Sequence, residues 1–279
     1  MFLTLRRAAA RVLTAAGAVA LTACGAPDAP RAATAPAPAV TTPSRPPTLA
    51  PGPGGLTPVF MKAAGARDRT VALTFDADMT ADQGPRAAAG ERFDNPRLIG
   101  TLRRLKVPAT VFMTGRWAEE YPWQARAIGR DPLFEVANHS YSHHAFTEDC
   151  YGLPTVPAQG MRADVERAFS AFREAGIEHP MPYFRFPGGC YDRRALKALS
   201  GTGVTAVQWD VVSGDAFATD ARAVARQVLD GVRPGSVVVM HCTRSAAPAT
   251  EAALRTIVPE LRERGYRFVK VSELIRSDA

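Results

Sequence analysis

The sequence lacks a charge-free apolar run long enough to span a membrane well. The apolar stretch of its N-terminal part covers only residues 12–23, whereas a spanning helix needs about 20 apolar residues. Arg6 and Arg7 precede this stretch, and small residues follow it up to Cys24. A basic start, a short apolar stretch and a small-residue end are typical of an export signal, which we assign to residues 1–23.

Basic clusters interleaved with aromatic side chains are also missing. The formal net charge is +7, and three of the basic residues lie in the predicted signal, so nucleic acid is excluded as the expected partner. Charged residues make up 22% and hydrophobic residues 46% of the 279-residue chain. These values exclude a wholly disordered protein and allow one large domain or two small ones.

Cysteine is scarce, with four residues in the chain. Apart from Cys24, these are Cys150, Cys190 and Cys242, so in an oxidising compartment two can pair and one is left over. The loops that carry Cys150 and Cys190 are expected to leave neighbouring strands. We therefore favour a disulfide between these two residues.

Large apolar residues are almost absent from residues 24–58, which are rich in proline, alanine and threonine. Such a composition cannot form a core and predicts an extended, semi-rigid spacer. The folded domain is therefore assigned to residues 59–279.

Short β-branched or apolar runs alternate with amphipathic stretches from Thr70 onward, which predicts a (β/α) barrel of about seven parallel strands. The predicted strands cover residues 70–76, 108–115, 134–140, 183–187, 204–210, 236–242 and 266–271. The predicted helices cover residues 96–105, 118–128, 159–175, 193–200, 220–231 and 250–264.

Polar residues occupy the C-terminal ends of these predicted strands, where a barrel collects its functional groups. They are Asp76, His139, Arg185, Asp210 and His241. A purely structural protein would seldom place polar residues at so many strand ends. Asp210 has the alternative role of capping a turn.

Histidine is rare, yet three of the five lie in the segment NHSYSHHAF, residues 138–146. On a helical turn, the spacing of His139 and His143 would place both rings on one side. A histidine pair alone indicates a polar loop. Asp76 and Asp78, at another strand end, instead favour a metal site with two imidazoles and a carboxylate.

Five motifs in this order resemble those of the NodB-homology polysaccharide deacetylases, carbohydrate esterase family 4. They are TFDAD at residue 74, HSYSH at 139, RFPGG at 185, SGDAF at 213 and VMH at 239. The resemblance covers residues 71–274. It implies a distorted (β/α) barrel and metal-dependent hydrolysis of acetyl groups on a glycan.

The resemblance also implies a role for each matching residue. Asp78, His139 and His143 would hold a divalent metal, Zn²⁺ in the first place with Co²⁺ or Ni²⁺ as alternatives, which would polarise the acetyl carbonyl and activate a water. Asp76 would be the general base, oriented by Arg185, and the N–H of Gly188 would meet the oxyanion. Protonated His241, held by Asp215, would donate to the leaving group.

Two motifs depart from the family pattern. Ala77 separates two aspartates that are adjacent in the family, so Asp78 either ligates through a bulged strand end or leaves the metal to the histidines and water. In VVSGDAF, residues 211–217, Val212 and Ala216 replace an aspartate and a tryptophan, and either Trp209 or Phe217 could supply the missing aromatic wall. The insertion at residues 81–95 forms either a rim over the groove or a surface loop.

The residues Leu21-Thr22-Ala23-Cys24 resemble the bacterial lipoprotein box, which implies lipid on Cys24. An ordinary cleaved signal is the alternative. We predict a monomer that lipid anchors to the outer face of the cell membrane and that acts on an acetylated envelope polymer, with N-acetyl groups of peptidoglycan favoured. The alternatives are an O-acetyl (xylan-type) esterase, a non-catalytic glycan-binding module on the same fold, and a hydrolase of cyclic amides.

Overall fold

The structure is a computed structural model that describes residues 45–278. The predicted signal and the predicted lipidation of Cys24 therefore concern residues outside the described part. The strands are β1 Val59–Phe60, β2 Thr70–Ala77, β3 Ala109–Met113, β4 Phe134–Asn138, β5 Tyr183–Phe184, β6 Thr205–Val207, β7 Val211–Val212, β8 Ser236–His241 and β9 Arg267–Phe268. The helices are α1 Gly84–Ala88, α2 Pro96–Arg104, α3 Gly115–Glu120, α4 Pro122–Gly129, α5 Met161–Glu174, α6 Arg193–Ala198, α7 Ala221–Gly231, α8 Thr250–Glu263 and α9 Val271–Asp278.

All strands belong to one curled sheet in which every paired strand is parallel to its neighbour. The strand order is β1-β6-β5-β4-β3-β2-β8-β7, and β9 pairs with β2. This architecture confirms the predicted distorted barrel of parallel strands. The seven predicted strands are all present, although most are shorter than predicted, and β1 and β7 are added.

Helix boundaries follow the local sequence signals. Asp220 caps α7 by accepting a hydrogen bond from the N–H of Arg222, as its position before the helix suggests. The single helix predicted over residues 118–128 is wrong: the structure has α3 and α4. Pro122 begins α4 because proline lacks the N–H that a continuous helix would need and is tolerated in a first turn.

Side chains of the central strands alternate between two apolar layers. In β2, Leu73 and Phe75 pack in the layer shared with the outer helices, whereas Ala72 packs inside the curl. In β8, Val238 and Met240 face the helices and Val237 faces inward. Because successive residues of a strand point to opposite faces, the even-numbered positions of β2 and the odd-numbered positions of β8 point into the curl.

Residues 45–58, the last part of the predicted spacer, lie against the folded domain. The hydroxyl of Tyr183 donates to the carbonyl of Pro47 at 2.8 Å, and the N–H of Leu49 donates to Thr205 Oγ1 at 3.0 Å. The N–H of Thr57 donates to the carbonyl of Leu196. The composition correctly indicated little regular structure, but these hydrogen bonds at the starts of β5 and β6 attach the segment to the domain.

The insertion at residues 81–95 contains α1 and is anchored at its C-terminal end. Phe93 is buried, and its carbonyl accepts a hydrogen bond from the indole N–H of Trp117 at 2.8 Å. The carbonyl of Arg92 accepts from the N–H of Ser245, in the loop after β8.

Among residues 45–278, no helix combines the length and apolarity needed to cross a membrane.

Candidate active site

Strand alternation brings Asp76 and Asp78 to the same face of the sheet. The register of β2 with β3 continues unbroken from Leu73 to Ala77, and Ala77 is fully buried toward the helices. Asp78 comes two positions after Asp76, so it points into the curl without the bulge considered from the sequence. Its backbone N–H donates to Thr243 Oγ1 at 3.0 Å, which fixes the strand end.

A potential metal site is formed by Asp78, His139 and His143. One ligand atom from each of these residues lies within 4.8 Å of the others. Oδ1 of Asp78 is buried and accepts no hydrogen bond among the described residues. A buried carboxylate oxygen without a partner is unfavourable, and a divalent cation between the three side chains would satisfy it. The donor set of two imidazoles and one carboxylate suits zinc.

The protonation of the two histidines also suits a metal. Nδ1 of His139 lies 3.0 Å from the carbonyl oxygen of Arg185, and a carbonyl only accepts, so Nδ1 carries the proton and Nε2 presents its lone pair. Burial lowers the pKa of His139 and that of His143 to about 4. Both rings are therefore neutral at pH 7, as a metal ligand must be.

The histidine segment is an irregular turn and not the helical turn that the sequence spacing suggested. Ser140 and His143 have positive φ values of 70° and 58°. Oδ1 of Asn138 accepts the N–H of Ser140 at 2.8 Å, and Oγ of Ser140 accepts the N–H of His143 at 2.9 Å. These side-chain hydrogen bonds hold a backbone that is costly for non-glycine residues and fix the two rings.

Asp76 forms a buried ion pair with Arg185. Nη1 of Arg185 donates to Asp76 Oδ1 at 2.7 Å, and the two residues are 0% and 3% exposed. Burial by itself would raise the pKa of Asp76, but Arg185 and the nearby histidines outweigh it and hold this pKa below its ordinary value. Oδ2 lies 3.7 Å from Nε2 of His139 and so faces the metal cluster.

Arg185 itself is fixed from several sides. Its guanidinium carbon lies 3.9 Å from the ring centroid of Phe112 and 5.3 Å from that of Trp209. Its Nε donates to the carbonyl of Val207 at 3.1 Å. The orientation of Asp76 is therefore set by a side chain that has little freedom to move.

Asp215 holds His241 on the neighbouring side of the site. Oδ1 of Asp215 accepts from Nδ1 of His241 at 2.8 Å, and Oδ2 accepts the backbone N–H of His241 at 2.7 Å. Burial alone would lower the pKa of His241. The hydrogen bond to Asp215 and the charges of Asp78, Asp215 and Asp76 outweigh it and raise this pKa to about 10, so His241 is protonated at pH 7.

The segment after Arg185 turns sharply at Gly188, which has a φ of 64°. A Cβ at this position would lie 2.6 Å from Sγ of Cys150, so only glycine fits. Cys150 and Cys190 form a disulfide, the pair favoured from the sequence, and Cys242 is free and buried. The bridge ties the loop after β4 to the turn that carries Gly188.

The sequence left two candidates, Trp209 and Phe217, for the missing aromatic wall. The ring of Trp209 packs beside Arg185 and against Gly189, where a Cβ would approach the indole to 2.5 Å. Phe217 is 83% exposed on a loop. Of these two candidates, Trp209 is therefore the one whose ring lies beside the ion pair.

Sequence reasoning missed the hydroxyl groups that support this site. Thr250 and Ser213 donate to the two oxygens of Asp215 at 2.7 and 2.8 Å. Ser213 belongs to the SGDAF motif and could have been noticed, whereas Thr250 and Thr243 carry no sequence signal.

Asp210 lies apart from the cluster and accepts hydrogen bonds from residues of β8, including the N–H of Val237 at 2.8 Å.

Comparisons with known proteins agree with this architecture. The sequence profile described as polysaccharide deacetylase matches residues 63–207. A chitooligosaccharide deacetylase of Sinorhizobium fredii is 31% identical over 67% of this chain and 86% of its own length. A peptidoglycan-N-acetylglucosamine deacetylase of Bacillus cereus is 27% identical over 75% of this chain and 89% of its own.

The same fold occurs in the crystal structure of a CE4 family pseudoenzyme from Bacillus anthracis. The TM-score is 0.64 at 23% sequence identity, and the match covers 81% of this chain and 70% of that one. This likeness concerns the fold alone. The matching profile, which spans more than half of the sequence, and the relatives together show that the chain belongs to the polysaccharide deacetylase family.

Proposed function

We propose that the protein is a metal-dependent hydrolase that removes acetyl groups, N-acetyl groups in the first place, from an envelope polysaccharide such as peptidoglycan. One observation carries this proposal: a buried ion-paired carboxylate, a three-ligand cluster and a carboxylate-held histidine meet at one end of the curled sheet. The two relatives, a chitooligosaccharide deacetylase and a peptidoglycan-N-acetylglucosamine deacetylase, support the choice of reaction.

The metal would be held by Asp78, His139 and His143, with Zn²⁺ proposed and Co²⁺ or Ni²⁺ as alternatives. When bound, it would supply Lewis-acid polarisation of the acetyl carbonyl and of a water. Each remaining step belongs to side chains of this chain. Oδ2 of Asp76 is free of Arg185 and faces the cluster, so it accepts the proton of the attacking water.

The remaining residues stabilise the charge that develops and the group that leaves. The N–H of Gly188 would donate to the oxyanion, because the turn that carries it directly follows Arg185. Nδ1 of His241 is held by Asp215, so Nε2 carries the proton that passes to the departing amine. Arg185 keeps Asp76 ionised and oriented.

The location of the protein belongs to the same proposal. Residues 1–23 would be a lipoprotein signal, lipid on Cys24 would hold a monomeric protein at the outer face of the membrane, and the residues before Arg45 would be the spacer. An enzyme anchored at this membrane face would reach the polymers of the cell wall. Peptidoglycan is therefore the favoured substrate.

Chelator sensitivity tests the reaction. The full-length protein, solubilised in detergent, is expected to release acetate from purified peptidoglycan when zinc is present. Pre-treatment with a strong chelator should remove at least 90% of this activity, and added zinc or cobalt should restore it, because the three ligands hold the ion that polarises the substrate. Acetate is measured enzymatically. Equal release before and after chelation would argue against metal dependence.

Two departures keep a non-catalytic glycan-binding role as the second candidate. Ala77 separates the two aspartates, and Ala216 replaces an aromatic residue. In that case the protein would bind glycan without acetate release from any polymer. Parallel assays on peptidoglycan and on acetylated xylan distinguish this role from an N-deacetylase and from an O-acetyl esterase.

Asp215→Asn is expected to move the basic limb of the pH–kcat profile to lower pH by about one to three pH units. His241 must be protonated to donate, and activity falls as the pH rises through its pKa. Asp215 raises that pKa through a hydrogen bond and a negative charge, which asparagine cannot supply in full. An unchanged basic limb would show that another group is the acid. The exposed substitution Asp220→Asn is the control.

A further inference from the structure

Residues 150–153 form a tight turn in which tyrosine is an unusual residue at the second position. The N–H of Leu153 donates to the carbonyl of Cys150 at 2.9 Å, and the two central residues, Tyr151 and Gly152, have positive φ values of 53° and 73°. A turn with two such residues favours glycine, asparagine or aspartate at both central positions. Tyrosine is strained here, so local backbone preference does not explain it.

Packing does not explain the tyrosine either. Tyr151 is 87% exposed, more than the other large hydrophobic side chains of the described region that reach the surface. An aromatic ring held in water contributes nothing to the core and leaves its apolar faces open. A strained and exposed aromatic side chain therefore needs a reason outside the stability of the fold.

The position of Tyr151 beside Gly188 supplies such a reason. A Cβ built on Gly188 would lie 3.4 Å from Cδ2 of Tyr151, so the tyrosine ring lies beside the peptide that is proposed to donate to the oxyanion. The disulfide between Cys150 and Cys190 joins this turn to the same segment. The turn that carries the ring is therefore covalently tied to the segment where, under the proposed function, the acetyl group reacts.

We infer that Tyr151 is a stacking platform for a sugar ring of the glycan, beside the sugar that carries the reacting acetyl group. A pyranose in its chair form exposes an apolar C–H face, and a flat ring with two rotatable bonds binds it at low entropic cost. The disulfide holds the turn that carries this ring beside Gly188. This inference rests on the proposed function, because that function defines where the glycan lies.

The test compares three substitutions of this one side chain. Tyr151→Ala removes the ring, Tyr151→Asn removes it while suiting the turn, and Tyr151→Phe keeps it. Each is made in the Asp76→Asn background, so that the sugar is not turned over, and full-length zinc-loaded protein is titrated calorimetrically with the pentamer of N-acetylglucosamine. Trp123→Ala, on the outer helix α4, changes an aromatic residue that is 77% exposed and serves as the control.

We expect the Kd to rise about five- to tenfold in Tyr151→Ala and Tyr151→Asn and to change less than twofold in Tyr151→Phe and in the control. Tyr151→Asn should melt no lower than its parent, so its loss of affinity cannot come from unfolding. The inference is overturned if the alanine and asparagine variants bind within twofold of the parent. It is equally overturned if the parent binds neither the pentamer nor peptidoglycan strands.

A kinetic comparison separates this inference from the proposed function. In the otherwise unaltered enzyme, Tyr151→Ala should raise KM for the pentamer about five- to tenfold and leave hydrolysis of 4-nitrophenyl acetate, which has no sugar, within twofold. A protein that binds glycan through Tyr151 but releases no acetate would contradict the proposed function alone. Equal KM values in an active enzyme would contradict the stacking role alone.

Discussion

Asp76→Asn is expected to lower kcat for acetate release by about 10²- to 10⁴-fold, the range that a general base contributes. The asparagine Oδ1 still accepts the hydrogen bond that Arg185 donates to Asp76 at 2.7 Å. Its amide cannot take a proton from water at the position of Oδ2. The defect should therefore lie in the chemical step and not in folding or in metal binding.

The measurement pairs steady-state kinetics with zinc content and melting temperature. Asp76→Asn should retain about one zinc per chain, since Asp76 is not part of the three-ligand group. The matched variant Asp78→Asn removes a ligand and should lose zinc as well as activity. The roles would be reversed if Asp76→Asn lost the metal while Asp78→Asn remained zinc-loaded and inactive.

Arg185→Met is expected to reduce the free energy of unfolding by about 3–5 kcal/mol. The ionised carboxylate of Asp76 would stay buried without its cation, and the contacts of the guanidinium with Phe112 and Val207 would be lost. Methionine fills most of the volume, so the loss reports mainly the unpaired charge. Urea unfolding of the metal-free proteins measures it.

A double variant and a surface control sharpen this result. Asp76→Asn combined with Arg185→Met removes both charges and should recover part of the lost stability. Arg255→Met breaks only the surface pair with Glu251, in which Arg255 is 59% exposed, and should cost less than about 1 kcal/mol. A loss below about 1 kcal/mol for Arg185→Met would show that Asp76 is not held as a buried anion.

Sequence patterns were sufficient for the architecture because they repeat along the chain. Alternating strand and helix runs predicted parallel strands with crossover helices, and the polar ends of these strands predicted where the site lies. Pairing of β2 with both β3 and β8 then brings the end of β2 beside its neighbours. Local patterns do not predict the strand boundaries, because β5 and β6 end where their hydrogen-bonded partners end.

The Asp-Ala-Asp motif shows what pattern alone could not decide. In the sequence alone, the motif departs from the family pattern and implies either a bulged strand end or the loss of one metal ligand. In the structure, the unbroken register of β2 with β3 turns Ala77 toward the helices and leaves Asp76 and Asp78 on the inner face. Side chains two positions apart in a strand point to the same face. One intervening residue therefore places both carboxylates on the side where the chemistry needs them.

Residues 45–58 show contacts that composition could not indicate. Their prolines and glycines predicted a spacer, and neither propensity nor periodicity could indicate that their backbone would find partners at Tyr183 and Thr205. Such contacts join residues more than 130 positions apart. They depend on the folded sheet already being present.

The sequence by itself determined the parallel α/β architecture, the identity of the polar residues at the strand ends and the family to which the chain belongs, since these follow from local periodicity and short motifs. Only the tertiary structure decided that Asp78 joins His139 and His143, that Asp76 pairs with Arg185, and that a disulfide holds Tyr151 beside Gly188. The reason is physical: strand register and long-range hydrogen bonds set distances between side chains, and no local pattern encodes them.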